Sequence, residues 1–213
     1  MERAFRTLTA LVAFAGLGLQ LRILLQSDSF DSPVLAVWRF LAFFTILTNL
    51  VVAVTASVSA LAPGSAFGRF VDTAPARAAV LLYIGTVAVI YHLLLANLWD
   101  PQGDQLIADQ LLHTATPALV AAGWLVFDHK KGLAFTAIPG MLVYPLAYTV
   151  YALVRGALDG FYPYFFIDVS AHGYARILMN VAGLTGAFIA GAAIIIALGR
   201  MLASFGIRTA RPG

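Results

Sequence analysis

Thr45, Thr48 and Asn49 interrupt the apolar stretch FLAFFTILTNL, and their spacings of three and four put them on one face of a helix. A threonine hydroxyl attacks a carbonyl once a base takes its proton, and the sequence offers candidate bases. Asp109 and His113 in DQLLHTATP stand at i and i+4, so the carboxylate can orient the imidazole as in hydrolytic triads. Pro117, four residues on, lacks an amide hydrogen and is expected to leave the His113 carbonyl unpaired, opening a local kink. YHLLLANLWD brings Tyr91, His92 and Asn97, and the aromatic stretch DGFYPYFFIDVSAHGYAR brings Asp168, His172 and Arg176. Asn49, with His92 second, is the candidate donor for an oxyanion.

These groups sit in a chain built for hydrocarbon. Of its 213 residues 61% are hydrophobic and only 11% charged, against about a quarter charged in ordinary soluble domains, and mean hydropathy is +0.89. A bilayer core of about 30 Å needs some 20 apolar residues per helix. Six runs qualify: Phe5–Leu25, Ala36–Leu61, Ala76–Leu98, Asp109–Phe127, Leu133–Leu153 and Tyr174–Leu202. The fold expected is all-α, a polytopic membrane protein, with residues 1–213 forming one six-helix transmembrane bundle. The first run is too long for a signal-peptide core and lacks a cleavage signal, so it is kept as a span.

With no cysteine, disulfides, thiolate nucleophiles and iron–sulfur ligation are excluded. The net charge of +3 does not imply nucleic acid, because the bases are spread among connections and set orientation instead. Arg3, Arg6, Arg69, Arg77, Lys130, Lys131, Arg200, Arg208 and Arg211 fall on one side, nine of the thirteen Lys and Arg residues. Both termini are therefore expected in the cytoplasm, with the chain multi-pass in the plasma (inner) membrane and the polar clusters converging on the outer leaflet.

Blander readings exist for each element. Membrane threonines bond their own backbone or a neighbouring helix, and Asn49 can be interhelical glue. Tyr162, Tyr164 and Phe165 can belong to an interfacial aromatic belt, and Tyr144, Tyr148 and Tyr151 form a helical stripe suited to packing. His92 and His113 could be axial ligands of a haem, or bind zinc together with Asp109 or Asp168. The same cluster could also recognise a lipid head group without turnover.

The tryptophan-led WRFLAFFTILTNL, the HTATP of the fourth run and the outer YPYFFID together resemble the androgen-induced protein family, which includes the androgen-dependent TFPI-regulating protein, and its bacterial six-helix relatives. The resemblance implies an intramembrane threonine hydrolase acting on fatty acid esters of hydroxy fatty acids or similar acyl esters. It carries the nucleophile onto Thr45, with Thr48 as competitor, and the base onto His113. Trp38, Tyr162, Tyr164 and Asp168 become candidates for substrate contact. No cofactor is expected, and the partner is a membrane lipid or lipid ester.

Overall fold

In the computed structural model, which describes residues Met1–Phe205, every regular element is helical. The helices are α1 (Glu2–Leu25), α2 (Pro33–Phe40), α3 (Phe44–Leu61), α4 (Ala66–Val71), α5 (Ala74–Ile90), α6 (Asp104–Gln110), α7 (Thr116–Val126), α8 (Ile138–Asp159) and α9 (Val169–Ser204). Among the described residues five helices are long and apolar enough to cross a membrane: Glu2–Leu25, Phe44–Leu61, Ala74–Leu98, Phe135–Asp159 and Val169–Ser204. The chain is a helical membrane protein. The last two bases of the expected orienting set, Arg208 and Arg211, lie outside the described residues.

Three expected spans are remodelled where polar residues occur. The second is not one helix from Ala36 to Leu61, because α2 ends at Phe40 and α3 begins only at Phe44. A break at that depth strands backbone carbonyls, which must find donors within the protein. Helix α8 supplies them: Tyr148 Oη donates to Ala42 O at 2.9 Å, Tyr151 Oη to Leu41 O at 3.0 Å, and the Arg155 guanidinium to Trp38 O at 2.6 Å. The tyrosine stripe of α8 is thus the acceptor-matching edge of a broken helix, rather than packing alone.

The fourth span starts at Asp104 rather than Asp109, and its middle is a π-turn, Leu111–Ala115, between α6 and α7. In that wider register the Thr116 amide bonds Leu111 O, five residues back. The missing amide of Pro117 therefore orphans Leu112 O, where a regular helix would orphan His113 O. Asn49 Nδ2 fills the vacancy at 3.2 Å. Helix α5 likewise runs into a π-turn, Tyr91–Leu95.

Two apolar cores hold the bundle. Ala13, Leu17, Ile46, Val52, Ala53, Ile84 and Leu112 join α1, α3, α5 and the π-turn after α6. Ala78, Leu82, Trp124, Met141, Ala192 and Ile196 join α5, α7, α8 and α9. The end bearing Met1 carries a buried ionic network. Asp128, after α7, pairs with Arg6 of α1 and lies 3.5 Å from Arg77 Nε of α5, while Arg77 also pairs with Asp72. Ser59 Oγ donates to Asp72 at 2.7 Å. Lys130 Nζ donates to Trp124 O at 2.5 Å and Leu125 O at 3.1 Å, closing the C-terminal turn of α7.

Candidate functional site

The break before α3 exposes the start of a helix inside the bundle. Leu47 N donates to Phe43 O, the first bond of α3, so the amides of Phe44, Thr45 and Ile46 have no acceptor within the helix. Thr45 lines an apolar cavity of about 80 Å³ with Tyr91, Tyr148, Tyr164, Thr185 and Phe188. That is room for several waters. The Thr45 amide donates to Tyr164 Oη at 3.4 Å, and Tyr164 stacks on Phe166 with ring centroids 5.1 Å apart.

Thr48 is fully buried, and its hydroxyl lies 3.0 Å from Tyr144 Oη. It does not line the cavity. Asn49 is also fully buried, with Nδ2 donating to Thr45 O at 2.9 Å as well as to Leu112 O. Both amide hydrogens are thereby used on backbone, which makes Asn49 a clamp between α3 and the fourth span and removes it as an oxyanion donor.

His113 Nδ1 lies 3.0 Å from Asp109 Oδ1 and 3.1 Å from Asp109 O. The backbone oxygen, which can only accept, places the proton on Nδ1 and leaves Nε2 with the lone pair, while the nearby carboxylate oxygen makes no hydrogen bond. Asp109 is 3% exposed, one and a half turns into the helix instead of at its start. The Tyr91 ring lies flat on His113, with centroids 3.7 Å apart and planes at 12°, and Trp99 Nε1 donates to Tyr91 Oη at 3.1 Å. Tyr91 thus borders both the cavity of Thr45 and the imidazole. Among the described residues no hydrogen bond joins Thr45 directly to His113.

The other candidates lie elsewhere. His92 is exposed, with Nε2 3.2 Å from Thr114 Oγ1, and does not line the cavity of Thr45. Among the described residues no group of three or more histidines and carboxylates gathers as a metal would need. Trp38 Nε1 donates to Asp159 Oδ2 at 2.6 Å, and the Arg155 guanidinium covers its ring at 3.8 Å, away from the cavity. Asp168 caps α9: Ser170 Oγ donates to Oδ1 at 2.5 Å and Ala171 N at 3.1 Å, and these bonds, the Ser170 hydroxyl first, hold the carboxyl below its ordinary range. Tyr162 packs over Gly156, where an added Cβ would meet its ring at 2.0 Å. Of Tyr162, Tyr164 and Phe165, Tyr164 is the one beside Thr45.

Sequence reasoning passed over Tyr148, Tyr151 and Arg155 as partners of a helix break, and Trp99 as the donor to Tyr91. A run of Tyr, Tyr, Tyr and Arg at helical spacing facing a span without Gly or Pro was the available signal. No protein-family model matches the chain, and neither does any curated protein or solved structure.

Proposed function

We propose that this chain is an intramembrane hydrolase of lipid esters, with Thr45 as nucleophile and His113 as base, related to the androgen-induced protein family. One observation carries the reading: Thr45 opens the half-helix α3 on an apolar cavity, while Asn49 fastens that same turn to the carbonyl beside His113.

In the reaction proposed, Thr45 Oγ attacks the ester carbonyl and its proton passes to Nε2 of His113. A swing of Tyr91, which separates the imidazole from the cavity, opens that path. Charge develops on the carbonyl oxygen at the start of α3, where the amides of Thr45 and Ile46 and the positive end of the helix dipole favour an anion. Collapse expels the alkoxide, which takes the proton from His113. Water, activated by the same imidazole, then splits the acyl-threonine ester and releases the acid. Asp109 keeps the proton on Nδ1 and stabilises the transient imidazolium.

The apolar walls fit an acyl chain drawn from the bilayer, and fatty acid esters of hydroxy fatty acids are the substrate class proposed. Purified protein in lipid nanodiscs should release both acids from such an ester. Saturable binding of the ester with no product would favour a lipid-binding protein instead.

The fourth segment, Asp104 to Val126 with its π-turn, completes six crossings in this reading. Both termini then lie in the cytoplasm and the cavity faces the outer leaflet of the plasma (inner) membrane. Nine of thirteen bases on one side support this. Reporter tags at Met1 and at the C-terminus should both read cytoplasmic; an external tag at either end would overturn the orientation.

A further inference from the structure

The connection from α8 to α9 is bounded by two glycines in conformations that other residues rarely adopt. Gly160 has φ 73° and ψ 3°, and Gly173 has φ 72° and ψ 159°. The second lies in a region essentially restricted to glycine. An added Cβ at either position would meet nothing within 4 Å, so backbone shape rather than crowding calls for glycine there.

Between them the segment holds its own form. Ile167 N donates to Tyr164 O, Asp168 N to Phe165 O, and His172 N to Asp168 O, while Phe161 N donates back across Gly160 to Asp159 Oδ1. It meets the helices through the Arg39 guanidinium, 4.2 Å over the Phe161 ring, and through Phe43, edge-on to Phe161 and Tyr164 at 6.0 Å. Tyr162 rests on the bare Cα of Gly156, Phe166 O accepts from Asn180 Nδ2 at 2.9 Å, and Tyr164 Oη accepts from the Thr45 amide at 3.4 Å, a long bond. Tyr164, Phe166 and Ile167 form one wall of the cavity.

We propose that residues 161–172 are a lid swinging about Gly160 and Gly173, and that the Tyr164 hydroxyl holds it shut by occupying the Thr45 amide. Internal bonds keep the strap rigid, so motion concentrates at the two glycines. A substrate carbonyl oxygen and the tyrosine hydroxyl compete for one donor, so binding and opening are coupled. The proposal rests on the reading above for the role of Thr45, but the opening itself can be observed without turnover.

The chain contains no cysteine, so a single Thr45→Cys substitution reports access to the cavity cleanly. In nanodiscs, with both faces open to solvent, a charged water-soluble methanethiosulfonate should label Cys at position 45 slowly. Tyr164→Ala, and independently Asn180→Ala, should each raise that rate about tenfold, as expected when one closing hydrogen bond is lost. Val52→Cys, at 1% exposure in the parent, should stay unlabelled in both backgrounds. Equal rates with and without the lid substitutions overturn the lid, as does labelling at position 52 that rises in parallel. Lid-dependent labelling in a protein that hydrolyses no ester keeps the lid and overturns the hydrolase.

Discussion

Thr45→Ala is expected to remove ester turnover, with a loss on the order of 10⁴-fold or more, because the other threonine hydroxyls on the cavity, Thr86, Thr149 and Thr185, each donate to a carbonyl of their own helix. Thr45→Ser keeps the hydroxyl in the same cavity and stays within roughly tenfold of the parent, the difference reflecting the freer rotamer of serine. His113→Ala costs on the order of 10²- to 10⁴-fold, the usual range for a general base. Asp109→Asn costs less, since the backbone oxygen of Asp109 still faces Nδ1 at 3.1 Å. Thr48→Ala leaves the rate close to that of the parent, because its hydroxyl is engaged by Tyr144 and lies outside the cavity. Initial rates on purified variants read these differences directly. The folded state is little affected by Thr45→Ala, whose side chain lines open space and supports no core contact of either cluster.

The second large effect is on stability. Asp128→Ala withdraws the shared counterion of Arg6 and Arg77, whose side chains are 7% exposed. Removing one member of a buried ion pair costs about 3–5 kcal/mol; Arg77 keeps Asp72 and Arg6 keeps Glu2 at 3.5 Å, so the loss falls toward the lower end of that range, still enough to lower the melting temperature by several degrees. Asp104→Ala is the matching control. It breaks the pair with Arg22, where both side chains are 55% exposed, and such pairs contribute about 0–1 kcal/mol. Intrinsic tryptophan fluorescence during heating separates the two, and similar melting temperatures for both variants would contradict the structural role given to Asp128.

Hydropathy located the apolar runs because each span needs a long unbroken stretch, and the expected ends moved by only a few residues at α1. Hydropathy does not report backbone continuity. Nothing in LAF marks the break at residues 41–43, since neither Gly nor Pro occurs there. The break persists because α8 brings Tyr148, Tyr151 and Arg155 to the freed carbonyls, a tertiary condition invisible in the segment itself. Pro117 did announce a lost bond, but the π-register moved the orphan from His113 to Leu112. His92 follows Tyr91 by one residue, about 100° around a helix, so one faces inward and the other outward; sequence could not choose, and packing turned Tyr91 in. The capping role of Asp168 was missed, because the apolar run begins only at Tyr174 whereas α9 begins at Val169, directly after that Asp. Thr45 and Tyr164, 119 residues apart, meet only through the folded connection from α8 to α9.

A fluorophosphonate probe tests the central claim most directly, because it reacts with an activated hydroxyl whatever the natural ester is. Mass spectrometry of the labelled, digested protein should place the adduct on Thr45, with labelling lost in Thr45→Ala and strongly reduced in His113→Ala. An adduct on Thr48 or any other residue, or no adduct in folded protein that hydrolyses esters, would contradict the account.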